Sequence, residues 1–289
     1  MEASAGQNDG VTGRARAAWM RLVVAPVDEA ERDRDEAPAA ARSRARRRAA
    51  IVCLTAALCL TLLEYFGMAN ESARFAWLLD AVGLPGPADA LREAMRFSID
   101  ARYNRMVYWA VWCTVVYAVI PLLVVRFVLR EPLSSVGWSL RGIGRDVPIY
   151  GAMLAVVLPL VWVMSGTPHF LDTYPFYDPR NDASLWPRFW TFEALYALQF
   201  VSLEFFFRGF LLQGTRGALG YFAVFAAMIP YVMIHFGKPL PETLGAIIAG
   251  LVLGHLALKS RSVWLGIATH VIVATSMDFA ALLRRGYFG

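Results

Sequence analysis

The apolar residues of this chain do not follow the one-sided spacing of helices on a soluble core. They fall into nearly unbroken blocks of about twenty. A block of that length cannot hide all its faces from water. In a bilayer, a helix satisfies its own backbone hydrogen bonds and can therefore cross. The blocks run at about 49–67, 106–129, 146–165, 189–213, 222–236, 241–258 and 262–283. The expected fold is thus all-α, a polytopic transmembrane bundle of about seven spans. Composition agrees: 57% of the 289 residues are hydrophobic and 18% are charged, against about 25% charged in an average soluble domain. The fifth block is short and contains Pro230, which points to a broken or incomplete span.

Three regions follow. Residues 1–48 form a tail rich in Ala, Arg, Asp and Glu, with little apolar surface to offset ordering, and are expected to be disordered. The run Arg42, Arg44, Arg46, Arg47, Arg48 directly before the first block reads as a topological anchor that keeps the tail in the cytoplasm. Residues 49–185 carry the first membrane helices, with a polar stretch near 70–105 whose Phe75, Trp77, Leu78, Leu79, Leu91, Met95 and Phe97 suit an interfacial helix pair. Residues 186–289 hold the remaining spans. With the tail inside, the loop of Arg126, Arg130, Arg141 and Arg145 is inside and the loop of Asp172, Asp178 and Asp182 is outside; the arginines of 68–105, Arg284 and Arg285 run against this pattern. The expected location is the cell's inner, cytoplasmic membrane. The net charge of +5 comes from scattered groups and offers no basic face for nucleic acid. Cys53, Cys59 and Cys113 lie in apolar blocks without metal-ligand spacing.

Ionisable side chains deep in a span cost at least ~2.5 kcal/mol and usually face the bundle interior with a task. Glu204 and Arg208 share one helix face across Phe205-Phe206-Phe207 and can form an ion pair. That pair is either an internal salt bridge or a carboxylate held for use as a base. His235 closes Tyr231-Val232-Met233-Ile234-His235, and His270 opens His270-Val271-Ile272-Val273-Ala274. Imidazole can activate water, stabilise an oxyanion or bind a metal. Asp278, about 80° round the helix from His270, serves the same cavity at another depth or orients a histidine. Glu193, Glu64 and His255 lie near span ends, and His255 reads as structural. Gly250 and Gly254 make a small-xxx-small pair for close helix packing.

The order Glu-x-x-x-Arg, aromatic-x-x-x-His, His-x-x-x-small, each on its own late helix, resembles the CPBP family of CAAX prenyl endopeptidases and bacteriocin-processing or Abi-type membrane proteins. The resemblance covers roughly residues 190–280. It implies a glutamate-dependent intramembrane endopeptidase acting on a membrane-anchored peptide or protein, a lipidated or sorting-signal tail among the candidates, and without a cofactor. Carried over, Glu204 and His235 activate water, Arg208 holds the glutamate and His270 donates to the oxyanion. The chain departs from the pattern twice: Leu203 stands where the first of two glutamates is usual, and Ala274 where an asparagine donor is usual. Gln199, Thr269, Thr275 and Ser276 are candidates for the missing donor. The alternative is a catalytically inactive relative serving as a binding or immunity partner. A zinc hydrolase is a lesser alternative that lacks a His-Glu-x-x-His helix, and a transporter lacks internal repeats.

Overall fold

The computed structural model describes residues 13–98, 100–141, 143–179 and 185–287, and every regular element among them is helical. Six helices are long and apolar enough to cross a membrane: α2 (Ala39–Gly67), α5 (Ala101–Leu129), α6 (Val147–Met164), α8 (Arg188–Leu219), α10 (Leu240–Ser260) and α11 (Trp264–Arg284). The shorter α9 (Phe222–Met233) follows α8. At ~1.5 Å per residue α9 covers about 18 Å, which is short of a ~30 Å hydrocarbon layer. The protein is a multi-pass membrane protein built from the expected spans, with the fifth reduced to a partial crossing.

The polar stretch after α2 is the expected helix pair, α3 (Ser72–Ala81) and α4 (Pro85–Arg96), with Trp77, Val82, Leu84 and Phe97 exposed. Local partners hold three of its five arginines: Arg74 pairs with Glu71 at 2.8 Å, Arg92 with Asp80 and Asp89, and Arg105 donates to the Met95 carbonyl at 3.0 Å. Arg285 likewise pairs with Asp178, and Arg284 donates to Ser165 Oγ at 3.2 Å. The positive-inside bias counts Lys and Arg whatever their acidic neighbours, so these arginines still run against the expected orientation. Asp182 lies outside the described residues.

The tail corrects one expectation. From residue 13 it is helical, and Met20–Val24 and Ala25–Asp35 run on as α1 before α2 starts at Ala39. Tertiary partners supply what composition lacked. Glu31 Oε1 accepts the Tyr221 backbone N–H at 2.8 Å, His255 Nε2 bonds the Leu22 carbonyl at 2.6 Å, and Arg261 reaches Glu29 and Asp33 at 3.1 Å each. Arg48 is more than an anchor: it donates to the Gln213 carbonyl at 2.7 Å and pairs with Glu131 at 2.8 Å, tying α2 to α8.

Helix α8 is the axis of the bundle. Of its most apolar stretch 78% is buried, against 6% for α6. Phe205, Phe206, Phe207 and Phe210 are all buried, packing beside Tyr117 of α5 and Tyr231 of α9. Glycines let neighbours approach closely. A Cβ at Gly214 would meet Val52 of α2 at 2.8 Å, and one at Gly250 would meet Met228 of α9 at 2.7 Å. A Cβ at Gly254 would meet Val224 at 3.0 Å, so the small-residue face of α10 packs on α9. Within α8 the segment Phe205–Gln213 is π-helical, widening the helix directly after Glu204. Cys59 and Cys113 are buried, whereas Cys53 is exposed on α2.

Candidate active site

Three helices bring the sequence motifs together. Glu204 ends the α-helical part of α8 and is fully buried. Its Oε1 accepts a hydrogen bond from His270 Nδ1 of α11 at 2.8 Å and meets Arg208 Nη1 at 3.3 Å. Gly266, one turn before His270, makes the approach possible: a Cβ there would lie 2.8 Å from Glu204 Oε2. The Arg208 guanidinium sits 4.0 Å above the Tyr231 ring of α9, a cation–π contact in a desolvated setting. Tyr231 connects the remaining member, because its carbonyl accepts from His235 Nδ1 at 2.8 Å and its ring lies 4.8 Å from that imidazole and 6.3 Å from His270's. Helix α9 ends at Met233, and His235 follows in the turn before α10, where Thr243 Oγ1 bonds its carbonyl at 2.9 Å.

Exposure differs within the group. The side chain of Glu204 is 0% exposed and that of Arg208 3%, whereas His270 reaches 15%. His270 is thus the accessible member, with the ion pair behind it, while His235 is buried at 8% exposure. Glu204 Oε2 and both Arg208 Nη atoms make no further hydrogen bond.

The positions that depart from the family pattern are packed. Leu203 belongs to the main apolar core, and Ala274 to an aromatic cluster with Phe189, Phe192, Tyr196 and Phe200. Of the candidate replacement donors, Ser276 Oγ bonds its own helix at Val273, Thr269 is buried, and Gln199 is buried with its Oε1 unpartnered. Asp278 does not orient a histidine. It accepts the Phe176 backbone N–H at 2.9 Å and faces the carboxyl of Glu193. Glu193, set aside in the sequence as a span-end residue, is 93% enclosed, with both carboxyl oxygens unpartnered by any N–H or hydroxyl. A signal for it existed: eleven residues before Glu204 is three helical turns, which puts both on one face.

The loop after α6 covers this end of the bundle. Its short helix α7 (Pro168–Thr173) leads to Tyr174, whose hydroxyl donates to Glu242 Oε2 at 3.0 Å, while Lys238 holds the other oxygen at 2.7 Å. Burial and the Glu242 carboxylate raise the Tyr174 hydroxyl above the ordinary tyrosine range, so it remains a donor. Among the described residues no group of three or more His, Cys, Asp or Glu side chains is arranged to hold a metal ion, so the zinc alternative finds no donor set.

Residues 184–276 match the family model described as type II CAAX prenyl endopeptidase Rce1-like, about a third of the chain. No curated protein and no solved structure matches it. The matched segment contains Glu204, Arg208, His235 and His270. The segment from α8 into α11 is therefore similar to the type II CAAX prenyl endopeptidases that this family model describes.

Proposed function

We propose that the protein hydrolyses a peptide bond in a membrane-anchored substrate, a lipidated or C-terminal sorting-signal tail, within the cytoplasmic membrane and without a bound cofactor. The observation that carries this reading is the Glu204 to His270 hydrogen bond, 2.8 Å long and backed by Arg208, with His235 held on the adjoining turn. A carboxylate behind an imidazole, with a second imidazole beside it, is a set of groups that can move the protons of water and of a leaving amine. A purely structural bundle has little use for four such groups at one depth.

The test is cleavage of a membrane-anchored peptide by the protein in proteoliposomes. His235→Ala and His270→Ala are each expected to abolish cleavage without lowering folded yield, and Glu204→Gln to cut it at least about 10³-fold in the protein that folds, at a cost in stability because Arg208 is left without its partner. Full complementation of a deletion strain by all three variants overturns the reading. Cleavage should survive exhaustive chelation; loss that zinc restores would favour a metal enzyme. Leu203 and Ala274 favour a second reading, an inactive binding partner. That protein would retain the peptide while cutting none of it.

A further inference from the structure

Two hydrogen bonds define the tautomer of both histidines. A carboxylate and a carbonyl oxygen only accept, so the ring nitrogen facing each must carry the hydrogen. His270 Nδ1 therefore donates to Glu204 Oε1 at 2.8 Å, and His235 Nδ1 donates to the Tyr231 carbonyl at 2.8 Å. In both neutral rings the lone pair is on Nε2.

Charge count and burial then separate the roles. Glu204 is matched by Arg208, 3.3 Å away, and the pair sums to zero in a fully enclosed position. Placing an imidazolium there at rest would leave an uncompensated buried charge, which is costly. Glu204 is also poorly placed to meet water itself. Oε1 is engaged by His270, and Oε2 presses on the α11 backbone at Gly266. His270 is the partly exposed member of the set.

We infer that His270 Nε2 is the base that takes the proton from water, and that Glu204 acts through it, as a positioning carboxylate held by Arg208. This moves the base role that the motif resemblance implies for Glu204 onto His270, and it needs no glutamate at position 203, where the chain has leucine. Water loses a proton to Nε2 while its oxygen bonds the peptide carbonyl carbon, and the carbonyl π pair moves onto the carbonyl oxygen. The imidazolium then returns the proton to the amide nitrogen as the C–N bond breaks, giving a carboxylic acid and an amine. During the cycle Glu204 stabilises the transient cation, an aid His235 lacks because only a neutral carbonyl stands behind it.

The catalytic step rests on the peptidase reading; the tautomer does not. The first experiment is nitrogen-15 NMR of histidine-labelled protein in detergent, with Glu204→Gln for comparison. The expected result is a neutral His270 protonated on Nδ1, shifting toward the Nε2–H form in the variant. A wild-type His270 protonated on Nε2 overturns the inference whether or not cleavage is ever seen. The second experiment is kinetic. Glu204→Gln should lower kcat by about 10³–10⁴, with KM nearly unchanged. His270→Gln should be as inactive as His270→Ala, since an amide donates but takes no proton, and added imidazole should partly restore His270→Ala. A His270→Gln enzyme within tenfold of wild type would show that donation suffices and would overturn the assignment. Wild-type protein that cuts nothing defeats the peptidase reading alone, with the NMR result still deciding the tautomer.

Discussion

Glu204 and Arg208 are each expensive without the other. Removing one partner of a buried pair costs about 3–5 kcal/mol, whereas removing both is often nearly neutral. Arg208→Ala is therefore expected to lose several kcal/mol in detergent unfolding, and Arg208→Ala with Glu204→Ala to recover most of it; additive losses would mean that the two side chains do not depend on each other. Gly266→Ala tests the close approach behind the site. A methyl 2.8 Å from Glu204 Oε2 forces the carboxylate or helix α11 to move, at about 1–3 kcal/mol, and cleavage should fall with it. Gly245→Ala is the control on α10, with nothing within 4 Å of its Cβ, and should be neutral or mildly stabilising. At this scale the residues with rare chemistry were legible: an ion pair and two histidines inside apolar helices stand out by type. Their pairing was not, because the spacing along one helix says nothing about which atom of another helix lies opposite. The bond from His270 to Glu204 and the partnership of Asp278 with Glu193 belong to that second kind.

Helix α9 shows how an element places chemistry. It stops after twelve residues, so the turn that follows it brings His235 to the bundle interior instead of to a membrane surface. The break was visible in Pro230 and in the shortness of the apolar block. The π-helical Phe205–Gln213 was not, since a stretch of buried phenylalanines reads equally well as an ordinary helix. A π segment holds one residue more than the α-helix that would replace it. Deleting Phe210 should restore α geometry while the two flanks of α8 keep nearly their present facing, so that what changes is the local placement of Glu204 against Arg208. We expect helical circular dichroism to persist and cleavage to vanish; an active deletion variant would show that the wide turn plays no part in aiming Glu204. Helix α1 illustrates the opposite failure. Its charges made residues 1–48 look disordered, and the partners that order it, Tyr221, His255 and Arg261, are about 190 or more positions away in sequence.

For the whole molecule, class and span number were legible because a bilayer accepts so few backbone solutions. The arrangement of the spans around α8 was not, as lipid-facing and protein-facing helices can be equally apolar. That arrangement bears on how the protein is made. Helix α8 carries Glu193, Glu204 and Arg208, and of the six spans its apolar window is the weakest. The groups that receive those charges include His270 and Asp278, which the ribosome has not yet synthesised when α8 leaves it. Insertion of α8 is therefore expected to depend on the helices that follow it. In a glycosylation-mapped translation assay, α8 alone should enter membranes poorly, and its insertion should rise when α9 to α11 are appended; efficient entry in isolation would contradict this. On that expectation the span that holds the site waits at the translocon for helices made after it, and a chain interrupted before residue 264 would end with its central helix unhoused.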